Sequence, residues 1–157
     1  MSTTRFADAI TALLAAYRNA AALSGVPVYD GAQPSSAADP DFVIVGHDAS
    51  AAADGTLQAT ALAGNYLQDW ADTTTGKDER GSVNCLIASQ TGDTADMAGR
   101  RARVTTLLAA CEDAALAAQP AHLTFDGTTD GRFIYSQGQA GVVVLCAYRV
   151  AYSAPWG

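Results

Sequence analysis

Val26-Pro-Val-Tyr-Asp-Gly31 and Pro40-Asp-Phe-Val-Ile-Val-Gly-His47 are two short apolar segments separated by small and polar residues. Each contains β-branched and aromatic residues and is followed by a glycine, which is typical of a strand that ends in a turn. The prolines and small residues between them predict an exposed loop over 30–41. The elements around this pair of strands define the fold.

Two helices are predicted, one on each side of a strand-rich region. Apolar residues spaced three and four apart over 4–23 form one face of a helix, and Ser24-Gly25 ends it. The second helix buries positions from Met97 to Ala115 and stops before a proline. Asp93 and Asp96 resemble a capping box at its start.

The remaining segments predict strands. Alternating apolar residues over 82–88 indicate a strand with one buried face, and 57–71 indicates a strand with a bend at Gly64, with a helix as the alternative. Three further strands are predicted at 122–125, 132–136 and 141–152. The last is apolar on both faces, so it is central in the sheet or covered by a partner.

The predicted fold class is therefore α+β, a mainly antiparallel β-sheet packed on one face by two α-helices. The chain has 157 residues, a length typical of one domain, and we expect a single domain over 1–157. The N-terminus lacks the pattern of a signal peptide, and the longest apolar run is too short to span a membrane.

Composition disfavours nucleic-acid binding. The net charge is −7, and Lys77 is the only lysine, so the chain is poorly suited to neutralise phosphates. Charged residues make up only 16%, which leaves apolar surface that other subunits could cover. Cys85, Cys111 and Cys146 are odd in number and lie in apolar runs, which predicts buried reduced thiols.

The polar residues form no motif for catalysis, a cofactor or a metal. His47 and His122 lack a neighbouring nucleophile, and no phosphate-binding or dinucleotide motif is present. The carboxylates at positions 39, 41, 48 and 54 lack the ligand spacing of a calcium loop. Arg100, Arg101 and Arg103 are either an anion patch or, as Asp96 four residues before Arg100 favours, a helix face with ion pairs.

Six segments of the chain, taken in order, resemble a known family. They are V-x-V-Y-D-G, P-D-F-V-I-V-G-H-D, Q-D-W-A, Asp78-Glu79-Arg80 before V-N-C-L-I-A, T-G-D-T, and Q-x-Q-A-G-V-V-V-L-C-A-Y-R-V-A-Y. Their order is similar to that in the tail terminator (tail completion) proteins of long-tailed phages, especially those of high-GC actinobacterial hosts. The Ala-rich, Lys-poor composition agrees with such a host.

The resemblance implies a structural virion protein without enzymatic activity, cofactor or metal. Such a protein forms a homo-hexameric ring on the end of the tail tube, stops tube polymerisation and docks to the head-tail connector or stopper protein. Genomic DNA passes through the ring without specific binding, and no membrane is involved. The protein is made in the host cytoplasm and resides in the virion at the tail-neck junction. The alternatives are a neck or stopper protein, or a small α+β enzyme or ligand-binding domain.

Large aromatics in polar or terminal segments are enriched at interfaces, so Trp70 and Trp156 are either interface residues or, as the alternative, small packing contacts outside the main core. The polar stretch from Thr73 to Asp78 is predicted to form a turn or an extended hairpin tip. The predicted interface residues are Trp70, Lys77, Asp78, Glu79, Arg80, Arg132 and Trp156.

Overall fold

Two helices lie against one face of a six-stranded sheet in this computed structural model, which describes residues 3–31, 39–51, 57, 59–70 and 76–156. The elements in chain order are α1 (Phe6–Asn19), a short 3₁₀ helix (Ala21–Leu23), β1 (Val28–Asp30), β2 (Asp41–Val45), β3 (Gly64–Trp70), β4 (Lys77–Thr91), α2 (Met97–Ala117), β5 (Thr124–Gly138) and β6 (Gly141–Trp156). The predicted fold class is confirmed.

The two longest neighbouring strands, β4 and β6, form the centre of the sheet. They pair antiparallel over their whole shared length, from Lys77 opposite Trp156 to Thr91 opposite Val142. β5 lies on the other side of β6. On the other side of β4, β3 pairs with its first half and β2 with its second half, so these two short strands lie end to end. β1 adds to β2 in parallel, so the sheet is mixed but mainly antiparallel.

The larger core lies between the sheet and the helices. Tyr17 of α1 and Leu107 of α2 are fully buried against alternate residues of β4 and β6, including Cys85 and Tyr148. The Tyr17 and Tyr148 hydroxyls are 2.9 Å apart, which satisfies two buried polar groups. All three cysteines are free and buried, as predicted. Burial raises the pKa of the Cys111 thiol to about 12, so it stays protonated.

A smaller core covers the opposite face. Ile44, Leu86 and Ala147 are buried there, and Leu57 packs against them from the segment that follows β2. β6 is therefore a central strand with apolar residues on both faces, which is one of the two outcomes that its sequence predicts.

Some predicted boundaries are wrong. The strands predicted at 122–125 and 132–136 are one strand, β5, because Gly127 and Asp130 adopt positive φ and form bulges instead of a turn. The helix predicted over 4–23 ends at Asn19 and is followed by the 3₁₀ helix. Asp96, rather than Asp93, is the N-cap of α2 and accepts a hydrogen bond from the Gly99 amide.

The segment predicted as a strand over 57–71 is a strand only in its second part: the described alternating residues at its start lie outside any strand, with an isolated bridge at Leu57, and the alternative of a helix is wrong. The strand begins at Gly64 and ends at Trp70. Gly64 has a φ of +156°, and a Cβ there would meet the Ser82 carbonyl oxygen and the Phe6 ring. This glycine therefore lets α1 and β4 approach β3 closely.

Close packing between Gly81 and Tyr152 yields a test of the β4–β6 contact. A Cβ at Gly81 would lie 2.5 Å from the Tyr152 ring, whereas nothing lies within 4 Å of a Cβ at Gly92. We expect Gly81→Ala to lower the free energy of unfolding by about 1–3 kcal/mol through overpacking. Gly92→Ala is the matched control, with a change of about 0.5 kcal/mol or less. Equal effects in urea denaturation would contradict this packing.

Candidate assembly surfaces

The end of the sheet where β3 and β4 meet carries most of the predicted interface residues. Trp70 pairs with Lys77 across the two strands, and Lys77 pairs with Trp156 on its other side. The Lys77 Nζ lies 5.1 Å from the centroid of the Trp70 ring, a cation–π contact, yet Trp70 remains 71% exposed. Asp78 is exposed beside them. We call Trp70, Lys77 and Asp78 the hairpin end.

Glu79 differs from its neighbours because its side chain is fully buried. Its carboxylate accepts hydrogen bonds from the Arg5 amide at 2.9 Å, the Tyr152 hydroxyl at 2.8 Å and the Gln68 amide at 2.8 Å. Gln68 also donates to the Thr3 carbonyl oxygen. This carboxylate therefore holds the start of α1 against β3, β4 and β6, where the helix N-terminus favours a negative charge.

The electrostatics of Glu79 follow from these contacts. Burial acts to raise the pKa of this carboxyl, but the hydrogen bonds from Gln68, Tyr152, Thr4 and Arg5 outweigh burial and lower the pKa below 4.5. Burial and the adjacent carboxylate raise the pKa of Tyr152, so its hydroxyl remains a donor. Glu79 is thus a charged structural group at neutral pH.

The Glu79 side chain is buried, and its hydrogen-bond partners Arg5, Gln68 and Tyr152 lie within the same chain. Arg80 is exposed, and it lies one position further along the same strand. Arg132 is distant from the hairpin end in register: it lies on β5, paired with Ala147, and its guanidinium donates to the Asp48 carbonyl oxygen at 3.0 Å. The interface role of the predicted residues, Glu79 included, stays a prediction.

Two parts of the predicted contact regions lie outside the described residues. They are residues 32–38 of the exposed loop predicted over 30–41, and residues 73–75 of the tip predicted from Thr73 to Asp78. Lys77 and Asp78, which the tip was predicted to include, belong to β4.

Two outer strands carry exposed apolar side chains that the interface prediction missed. On β3, Tyr66 is 47% exposed and Leu67 is 65% exposed, next to Trp70. On β5, the exposed fractions of Phe133, Ile134 and Tyr135 are 52%, 37% and 68%. We call these sets the β3 edge (Tyr66, Leu67) and the β5 edge (Phe133, Ile134, Tyr135). Contiguous exposed apolar residues of this kind mark interaction sites.

Arg100 and Arg103 of α2 form ion pairs, whereas Arg101 is exposed. Arg100 lies 3.3 Å from Asp96, which confirms the pairing expected from their spacing. Arg103 lies 2.9 Å from Asp41 at the start of β2, and Asp41 also accepts from Ser89. These contacts tie α2 to β2 and β4.

The structure brings together few groups suited to catalysis or metal binding. Among the described residues, no group of three or more His, Cys, Asp or Glu side chains could hold a metal ion. His47 is buried and its Nδ1 accepts from the Ala49 amide at 2.8 Å, while His122 is exposed. Of the acidic residues considered for calcium, Asp39 accepts from Tyr29, Asp41 binds Arg103 and Asp48 accepts from Ser50. Asp54 lies outside the described residues.

A cleft of about 590 Å³ lies beside the bulge of β5. Its lining includes Asp130 and Arg149, whose side chains are 3.4 Å apart, and Arg132, which binds the backbone of Asp48. These charged groups pair with each other across the sheet surface, which is an arrangement typical of a solvated face.

Neither a protein-family model nor a curated protein sequence matches the chain. In fold, the chain is similar to a chain in a solved structure described as the virion of a native gene transfer agent (GTA) particle. The two chains are 16% identical, the match covers 94% of this chain and 93% of that one, and the TM-score is 0.48. No helix within the described ranges is long and apolar enough to cross a membrane.

The Glu79 network predicts a pH-dependent loss of stability in the variant Glu79→Gln. A lowered pKa means that the ionised carboxylate stabilises the fold above about pH 4.5, and that this contribution is lost as the pH falls through the folded-state pKa. We expect Glu79→Gln to lower the free energy of unfolding by about 1–3 kcal/mol at pH 7. The difference from the native chain shrinks below pH 4.5.

The matched control is Glu112→Gln, which makes the same change on the partly exposed surface of α2. Urea denaturation of the three proteins between pH 3 and 7 measures the effect. A Glu79→Gln difference that stays constant with pH, or one equal to that of the control, would contradict a role for the ionised carboxylate.

Proposed function

We propose that this chain is a structural protein of a phage-type virion, and specifically a tail terminator that caps the tail tube as a ring. The ring ends tube polymerisation and joins the tail to the head-tail connector, and DNA passes through its channel. The observation that carries the proposal is the pair of exposed apolar edges on two different outer strands of one sheet. It adds to the resemblance in the order of the sequence segments.

Two different exposed apolar edges on one chain favour a ring over a symmetric dimer. A surface that binds a different surface on the next copy is a heterologous contact, and repeating it closes a ring when the rotation permits. Exposed outer strands also need cover, because unpaired N–H and C=O groups invite strand addition. A ring covers the β3 edge and the β5 edge of every copy with a single type of contact.

The hairpin end is suited to a contact with a different protein. Trp70 is a large, mostly exposed aromatic held over Lys77, and both lie at the extreme end of the β3–β4 pair. Aromatic residues in such positions dominate binding energy at protein interfaces. We propose that this end meets the tail tube protein or the connector.

The charge of the chain is compatible with a channel for DNA. A net charge of −7 gives little attraction for phosphates, so DNA can move past the ring without being held. The proposed protein has no enzymatic activity, cofactor, metal or membrane contact.

Electron microscopy of particles made without this protein tests the role directly. Because the ring would stop tube growth, we expect overlong tails that lack heads, and normal tails after complementation with the native chain. Tails of normal length that fail to join heads would indicate a neck or stopper protein instead. Normal, complete particles would contradict both roles.

Trp70→Ala tests the hairpin end as a docking surface. The side chain is mostly exposed, so we expect a change in unfolding free energy of about 1 kcal/mol or less and a loss of joined particles of about tenfold or more. Leu116→Ala on α2 is the matched control, since Leu116 is 54% exposed but distant in sequence from the hairpin. Complementation titres and thermal denaturation supply the two readouts. Equal titres for the two variants would remove the hairpin end from docking.

A further inference from the structure

We propose that the β5 edge of one copy adds as a strand to the β3 edge of the next copy, antiparallel, with Leu67 opposite Ile134. This inference deepens the proposed ring by naming the contact between its subunits. The occupant of each edge is a second copy of this chain.

The outer strand β1 is three residues long, and a side chain of the same chain already binds its outward backbone. The Pro27 carbonyl oxygen and the Gly31 amide bond to β2, so the backbone of Val28 between them points away from the sheet. The Val28 carbonyl oxygen accepts from Arg18 Nη2 at 2.9 Å and from Nε at 3.3 Å. Within the described part of the chain, β3 and the half of β5 over 132–138 remain as regular outer strands.

Strand direction permits a head-to-tail contact. β3 and β6 both run antiparallel to β4, and β5 runs antiparallel to β6. β5 is therefore antiparallel to β3 in its own sheet. When a second copy is placed beside the first by rotation about an axis that runs roughly along the strands, its β3 stays antiparallel to the β5 that it meets.

The backbone groups of the two edges fit this register. The Ala63 carbonyl oxygen accepts from the Asn84 amide, so the backbone N–H and C=O groups of odd-numbered β3 residues point toward β4. Those of even-numbered residues, such as Tyr66 and Gln68, point outward. The two-residue turn after Gly138 pairs it with Gly141, so Tyr135 and Phe133 face outward on β5. Setting Leu67 opposite Ile134 pairs Tyr66 with Tyr135 and Gln68 with Phe133. The backbone N–H and C=O groups of these four residues all point away from their own sheet, so they can bond across the contact.

The side chains fit the same register. It places the exposed Leu67 opposite Ile134, Tyr66 opposite Tyr135, and the exposed Asp69 opposite Arg132. Opposite charges, aromatic pairs and aliphatic pairs directly across an antiparallel ladder each stabilise it. Shifting the register by two residues in either direction loses the Asp69–Arg132 pair and leaves Ile134 opposite a polar residue.

The register also staggers the copies. Leu67 aligns with Arg80 and Ser153, whereas Ile134 aligns with Leu145, which lies about eight residues earlier on β6 and roughly 26 Å away. Each copy is therefore displaced along the strands relative to the last. A regular displacement of this kind tilts the strands, as closure of a sheet into a barrel requires.

Disulfide formation between copies tests the register. Leu67 and Ile134 would form a non-hydrogen-bonded pair with Cα atoms about 4.5 Å apart, which suits a disulfide. We expect oxidised Leu67→Cys/Ile134→Cys protein to give a ladder of linked oligomers on a non-reducing gel. The three native cysteines are buried and give a low background.

The matched control is Leu67→Cys/Ser136→Cys, which places the thiols on the same face but two residues out of register. Diagonal neighbours are about 7–8 Å apart, so we expect at least tenfold less linked product. Equal linking of the two variants, or none by Leu67→Cys/Ile134→Cys at the highest soluble concentration, overturns the proposed pairing.

Charge reversal gives an independent readout without cysteines. We expect Asp69→Arg and Arg132→Asp each to weaken self-association by about tenfold in sedimentation experiments, because each places like charges opposite one another. The double variant Asp69→Arg/Arg132→Asp restores association to within about threefold of the native chain. A double variant as weak as either single variant contradicts the Asp69–Arg132 pair.

These results are separable from those of the tail experiment. Overlong tails without the protein, together with a failed disulfide test, would support the tail role and reject this pairing. Linked oligomers together with normal tails would support the pairing and reject the tail role.

Discussion

The ladder between β4 and β6 determines where every other element can lie. These strands pair without interruption from Lys77–Trp156 to Thr91–Val142. One face holds the helices and the larger core, and the other holds the smaller cluster around Leu86. Because β2 and β3 share the outer side of β4, each is short, and β3 is left as an exposed edge. The surfaces proposed for assembly are thus consequences of the central ladder.

The Glu79 network fixes the beginning of the chain onto this ladder. A buried carboxylate is costly unless hydrogen bonds compensate for the loss of water. Here the donors come from α1, β3 and β6, so the charge is compensated only when all three elements are in place. This makes the network selective for one arrangement, since a shifted α1 would leave the carboxylate without the Arg5 amide. The network also joins the two strands that carry Trp70 and Lys77, because Gln68 and Glu79 are opposite each other on β3 and β4.

The sequence alone was sufficient for the fold class, because helical periodicity and strand alternation are local signals. It was insufficient for β5, since the glycines and aspartates over 126–131 are equally suited to a turn or to bulges, and only pairing with β6 decides between them. The burial of Glu79 could not be predicted, because its donors lie 74, 11 and 73 residues away in sequence. The β5 edge was missed for a related reason. A run such as Phe133-Ile-Tyr135 has apolar residues on both faces, which is also true of central strand β6.

β5 and β6 differ in how many neighbouring strands each has. The 133–135 segment of β5 and the apolar stretch of β6 both place apolar residues on the two faces of the sheet, yet β6 has neighbours on both sides and β5 has one. An apolar segment on an outer strand is unfavourable in water, because its apolar side chains and its unpaired backbone groups are exposed together. Strand addition removes both costs at once. β3 offers unpaired backbone in the matching phase, a leucine for Ile134 and a carboxylate for Arg132. The margin of one copy then becomes the centre of a larger sheet, which is the environment that the sequence of β5 suits.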